Sequence, residues 1–181
     1  MSQQVKGTGI IPVISYIKAH QGERGWARVL SRLPDEIRQI LDRRILPITW
    51  YPHEAISLLY AAVSDEFGGG DPKYCWIVGK DSADYGLNLI YKLFLSFGSP
   101  QLFGSKGPEM WKTYYQPSTL EVLLNEKGAL IVAIHGMTTT PAHVYSIAGW
   151  MERAGELTGG RNINIRVSVD ASGMRYDIAY Q

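Results

Sequence analysis

Thr119-Leu-Glu-Val-Leu-Leu-Asn-Glu-Lys-Gly-Ala-Leu-Ile-Val-Ala-Ile-His135 is the stretch that decides the fold. Two apolar runs, Thr119–Leu124 and Ala129–His135, flank Asn125-Glu-Lys-Gly128, and the spacing predicts a β-hairpin. The same grammar returns at the end of the sequence. Ile163, Ile165, Val167 and Val169 alternate with polar residues, as do Met174, Tyr176, Ile178 and Tyr180, and Asp170-Ala-Ser-Gly173 joins the two runs. Each turn puts Asn or Asp first and Gly three residues later, which suits a turn closed by a left-handed glycine. Strict alternation predicts an antiparallel sheet with one buried and one wet face. Between the hairpins, Val144, Ile147, Trp150, Met151 and Leu157 recur at helical spacing, which predicts a helix over 141–158.

Upstream the period is helical. Ile10, Val13, Ile14 and Ile17 predict a first helix that Gly22 ends; Trp26, Val29, Leu30 and Leu33 predict a second. Pro34-Asp-Glu36 opens a third, with proline and acids where a helix start favours them. Ile45–Tyr51 is an extended connector, and Pro52 starts a helix that stops at Gly68-Gly-Gly70. Asp71-Pro72 reads as an N-cap and first helical position, with the following helix breaking near Gly79 and its apolar part, Leu87–Phe97, at the centre of the molecule. Pro108–Tyr115 is a shorter helix. The fold class is therefore α+β in a single domain over 1–181: a helical N-terminal two-thirds, then hairpin–helix–hairpin forming an antiparallel sheet.

Composition removes several functions. The 181 residues are 45% hydrophobic and 19% charged with formal net charge +1, a globular balance without the basic excess of nucleic-acid binders. No apolar run approaches the length that spans a bilayer, and Met1–Lys6 lacks the pattern of a signal peptide, so the expected location is the cytoplasm. One cysteine, Cys75, excludes an internal disulfide and a Cys-rich zinc site; among Tyr74 and Trp76 it reads as a buried, inert thiol. There is no phosphate loop, dinucleotide fingerprint or serine-hydrolase elbow. The histidines His20, His53, His135 and His143 show no HxH or HExxH spacing; His135 and His143 flank the loop over 136–142 and could approach each other, and surface or capping roles are expected for that pair. Thr140 reads as the N-cap of the helix begun by Pro141. No catalytic constellation emerges, so the expectation is a protein that is not an enzyme and holds no cofactor or metal.

The surplus is aromatic. Trp50, Tyr60, Tyr91, Trp111, Tyr114, Tyr115, Tyr145 and Trp150 are many wide residues for one small domain, and such residues build cores, pockets and interfaces. The expected ligand-binding set is Tyr91, Phe94, Trp111, Tyr115, Tyr145 and Trp150, lying between the late helix and the central helix.

Gly25-Trp26, Leu33-Pro34, Trp50-Tyr51-Pro52, Gly79, Ile90-Tyr91-Lys92, Trp111, Tyr114-Tyr115 and Gly149-Trp150 together resemble an uncharacterised bacterial family expanded as paralogues in myxobacteria. More remotely, the order of elements and the opening Val5-Lys-Gly-Thr8 resemble the fold of haem–nitric-oxide sensor domains, four-vinyl-reductase-type domains and TRAPP vesicle-tethering subunits. That resemblance implies an apolar ligand between helices and sheet, and a homodimer. Haem sensors carry an axial histidine on the helix before the first hairpin and a Tyr-x-Ser-x-Arg motif. Pro108–Gln116 has no histidine, and the motif is absent. No cysteine follows Cys75, unlike the reductase-type domains. The resemblance thus implies a cofactor-free, non-enzymatic sensory module that binds an apolar small molecule. The alternatives are a dimeric protein-interaction scaffold without ligand and a haem-type sensor lacking the usual histidine. Neither nucleic acid nor a membrane span is expected.

Overall fold

The computed structural model describes residues 2–94 and 98–181, with side chains described outside 86–97. The chain is α+β. β1 (Gln4–Lys6) leads into α1 (Gly7–Ser31) and α2 (Asp35–Leu41); β2 (Trp50–Pro52) leads into α3 (His53–Phe67). A 3-10 turn over Pro72–Tyr74 enters α4 (Cys75–Phe94). Then come α5 (Pro100–Ser105), α6 (Gly107–Tyr114) and β3 (Tyr115–Gln116). The closing unit is β4 (Thr119–Glu126), β5 (Ala129–His135), α7 (Pro141–Leu157), β6 (Asn164–Asp170) and β7 (Gly173–Ala179).

The hairpin–helix–hairpin order stands. The four strands form one antiparallel sheet in the order β4-β5-β7-β6, so the two hairpins meet along β5 and β7. Both turns hold a positive-φ glycine, Gly128 at 84° and Gly173 at 139°. Asp170 adds a side-chain acceptor for the amide of Ser172 at 2.7 Å. One face of the sheet is buried: Leu130, Val132, Ile134, Met174, Tyr176 and Ile178 pack with Val144, Ile147 and Trp111 into a sheet core.

The helical region has its own core, in which Ile10, Val13 and Ile17 of α1 meet Ile56, Leu59 and Val63 of α3 and Cys75 and Val78 of α4. Gly22 does break the first helix, at φ 66° and ψ −176°, so α1 is two helices sharing one label. Asp71 caps the 3-10 turn through Lys73 N at 2.9 Å.

Two features differ from expectation. Residues 4–6, 50–52 and 115–116 form a second sheet, in the order β2-β1-β3, too short for any period to mark it. Gly79 does not break α4, which runs on through it. Its role is contact with α7. A Cβ on Gly79 would lie 1.9 Å from the carbonyl oxygen of Ser146, and one on Gly149 would lie 1.9 Å from that of Trp76. The two helices therefore cross backbone to backbone at reciprocal glycines. Beside the crossing, Lys80 pairs with Glu152 and Glu156 at 2.7 and 2.8 Å, Arg153 pairs with Asp84 at 2.8 Å, and the Trp76 indole donates to Glu152. The run Leu87–Phe97, expected at the centre, lies outside the described side chains.

Candidate functional site

A cavity of about 130 Å³ opens where the two cores face each other. Ile56 and Tyr60 line it from the helical core, with Pro12 of α1; Trp111, Leu130, Val132, Ile147 and Ile178 line it from the sheet core. Phe103 and Gly104 of α5 and Met110 of α6 add to one side, with Trp150 and Met151 of α7. A largely apolar void of this size admits an aromatic ring.

Of the six residues expected to bind ligand, the cavity brings three together: Trp111, Tyr115 and Trp150. Trp111 and Tyr115 stack with ring centres 4.4 Å apart, and the Trp111 indole donates to Ser118 at 3.1 Å, which fixes both rings. Tyr145 does not line it. One residue is about 100° around a helix, and with Ser146 and Ile147 facing the void, Tyr145 turns instead to a shallow surface groove with Lys73, Trp76, Ile165 and Val167. Tyr91 and Phe94 lie outside the described side chains.

Behind Tyr115 sits a buried polar cluster that the sequence did not mark. His53 opens α3 and is 3% exposed; His143, in the first turn of α7, is 1% exposed, so His143 is not the surface or capping histidine expected. His143 stacks on Tyr60 with centroids 5.2 Å apart and lies 5.3 Å from the His53 ring. Its Nδ1 is 2.8 Å from Thr139 Oγ1 and its Nε2 3.1 Å from the Tyr115 hydroxyl. Thr139 donates to Ser57 Oγ at 2.9 Å, and Thr140 donates to the Ser57 carbonyl at 2.9 Å. With the Thr139 proton committed to Ser57, its oxygen accepts from His143 Nδ1–H, and Tyr115 donates to Nε2; these donors assign a neutral tautomer. Thr140 is at the N-cap position, yet its hydroxyl ties α7 to α3 and does not cap.

Burial sets the electrostatics of this cluster. It lowers the pKa of His53 to about 4. Burial, then the neighbouring His53 charge, holds His143 well below the usual imidazole range. Burial raises the Tyr115 hydroxyl far above its ordinary value. Among the described residues, His53 Nε2 is the buried side-chain nitrogen or oxygen left without a hydrogen-bond partner. Cys75 is fully buried, donates to the Tyr60 carbonyl at 3.3 Å, and is pushed by burial up to about 12; it is not a reactive thiol. His135, on the sheet, meets the Ser172 carbonyl at 3.0 Å and Glu121 at 3.2 Å.

The residues of the cavity do not fit haem. Its described lining has no histidine or cysteine to serve as axial ligand and no lysine or arginine for propionates; Met110 and Met151 bring thioethers without the histidine that partners a methionine ligand. The phenol of Tyr115 is turned to His143. A void that matches a single ring is also far short of a macrocycle of four pyrroles. Among the described residues no group of three His, Cys, Asp or Glu could hold a metal ion, and no helix is long and apolar enough to cross a membrane.

No protein-family model matches the chain. No functionally described protein matches it by sequence. Solved structures do. The chain is similar to the Fe(II) unliganded H-NOX protein from K. algicida, at TM-score 0.76 and 12% identity, over 97% of this chain and 96% of that one. It is similar to an H-NOX protein from S. oneidensis solved in the Fe(II)NO ligation state, at TM-score 0.69 and 15% identity, covering 97% and 99%. An oxygen-binding H-NOX domain related to soluble guanylate cyclases follows at TM-score 0.66 and 14% identity, covering 97% and 95%. At these identities the likeness is one of fold, and the fold is that of the H-NOX domains.

Proposed function

We propose that this chain is a non-enzymatic sensory module that binds an apolar small molecule in the cavity between its helical and sheet cores. One observation carries the reading: an aromatic-lined void of about 130 Å³ lies at the helix–sheet seam of a fold otherwise built to close contact. Interiors rarely keep voids larger than a water, so a ring-sized one is a candidate binding site. The similar H-NOX structures are described with Fe(II), NO or oxygen, which supports a sensory role for the fold. The lining described above supports a version of it without histidine-ligated haem.

A non-enzymatic role is favoured because the candidate nucleophile is buried and protonated, and His143 is held in structural hydrogen bonds. Membership of the myxobacterial paralogue family, a cytoplasmic location and a homodimer belong to the same reading; light scattering should give twice the chain mass.

The test is direct. Purified protein, titrated with toluene and followed by protein NMR, should show saturable shifts at Trp111, Tyr115 and Trp150. A visible scan of the same sample should lack a Soret band. Absence of toluene binding up to its solubility, or a Soret band, would overturn the reading.

A further inference from the structure

The described lining of the cavity is largely apolar, with further hydroxyl-bearing residues at Thr8, Tyr114, Tyr115 and Tyr180. At one corner three buried hydroxyl-bearing residues come from three different helices: Tyr60 from α3, Ser82 from α4 and Ser146 from α7. All three are buried, at 4, 6 and 2% exposure. Ser82 and Ser146 both lie beside Tyr60 at this corner. The glycine crossing of α4 and α7 places them there. Gly79 touches the Ser146 backbone directly, and Ser82 is one helical turn further along α4.

The protons of this corner are committed. Ser82 donates to the Val78 carbonyl at 2.8 Å, and Ser146 donates to the His143 carbonyl at 2.8 Å. What the serines present to the cavity is lone pairs, and the Tyr60 proton can satisfy one serine only. Among the described residues the corner is thus a net acceptor facing a largely apolar, ring-sized void. Buried acceptors left without a donor cost free energy, so a ligand that supplies one is preferred over an apolar ligand of the same shape.

We propose, resting on the cavity reading above, that the ligand class is a single-ring aromatic compound bearing one O–H or N–H donor, of the phenol type. The ring lies against Trp111 and Ile147, and the donor meets the Tyr60–Ser82–Ser146 corner.

The experiment compares phenol with toluene, two rings of nearly one shape that differ in the donor. Dissociation constants are measured by NMR titration for the full chain and for Ser82→Ala, Ser146→Ala and the double variant. The ratio of phenol to toluene affinity should fall about fivefold in the double variant, while toluene affinity itself stays within about twofold. If the double variant fails to fold by circular dichroism, each single variant should still lower the ratio by about twofold or more. A ratio that does not change in the variants, with toluene still binding, would overturn the donor assignment and leave the cavity reading intact. Failure of both compounds to bind the unmodified chain would overturn both.

Discussion

The α4–α7 crossing and the helix–sheet seam are built from overlapping residues and reach opposite extremes of packing. At the crossing, Gly79 and Gly149 bring two backbones so close that no Cβ fits. At the seam, α7 also contributes Ile147, Trp150 and Met151, yet a void of about 130 Å³ remains. The void is therefore not looseness. Helix α7 is fixed on one side by reciprocal glycine contacts and ion pairs, and on another by Tyr176, whose buried hydroxyl donates to the Val144 carbonyl at 3.1 Å. Held on both sides, it cannot sink into the gap between the cores.

The sharpest way to break this contrast is to spoil the crossing. Gly149→Val should cost about 4 kcal/mol or prevent folding, because the added carbons meet the Trp76 carbonyl and no flexible side chain can yield; urea denaturation measures it. Gly155→Ala is the control on the same helix. Its Cβ meets only the tip of Ile163, at 2.7 Å, so the change should be small.

The next largest effect is acid. His53 has a folded pKa of about 4 against an ordinary 6.5, so between those values the unfolded chain binds more protons. Stability should be level above pH 7 and fall as pH drops from about 6.5 toward 4, by on the order of 3 kcal/mol from His53 alone. His143 adds to the same direction. Thermal melts across pH 4–8 check this, and His53→Phe should flatten the curve. The contrast sharpens here too: a protonated His143 can no longer accept from Tyr115, so acid acts at a wall of the cavity and leaves the glycine crossing untouched.

A smaller effect comes from filling the void. Val132→Ile adds one methylene at a lining position and keeps a β-branched residue in β5, so it should stabilise by about 0.8 kcal/mol. It should weaken toluene binding several-fold, read by the same NMR titration. The smallest belongs to the crossing again. Lys80→Met removes the ion pairs to Glu152 and Glu156, partly exposed, and should cost about 0.5 kcal/mol, less at high salt.

The sheet and α7 were legible because their signals are local. Alternation over Ile163–Val169 and Met174–Tyr180, turn glycines at 128 and 173, and Pro141 at a helix start each act within a few residues. Three residues of the cavity lining carried a different signal: Trp111, Tyr115 and Trp150 are too wide to leave a small interior without consequence. Tyr145 was placed by residue type, where the angle around α7 decides. Gly79 looked like a helix breaker, since its partner, the Ser146 backbone, is 67 residues away in sequence. His53 and His143 carried no spacing that separates a buried histidine from an exposed one; their burial comes from β3 and α3 closing over the start of α7. The serines of the cavity corner were invisible for the same reason, being ordinary helix residues until α4 and α7 meet.

The cavity also makes the molecule compressible in a particular way. A void of 130 Å³ per molecule, multiplied by Avogadro's number, is about 78 mL/mol, within the range of volume lost when whole domains unfold. Hydrostatic pressure therefore has a point of action on this fold at the helix–sheet seam. A bound ring removes that volume from the native state, so occupancy of the seam can be read as a rise in the pressure at which the protein unfolds.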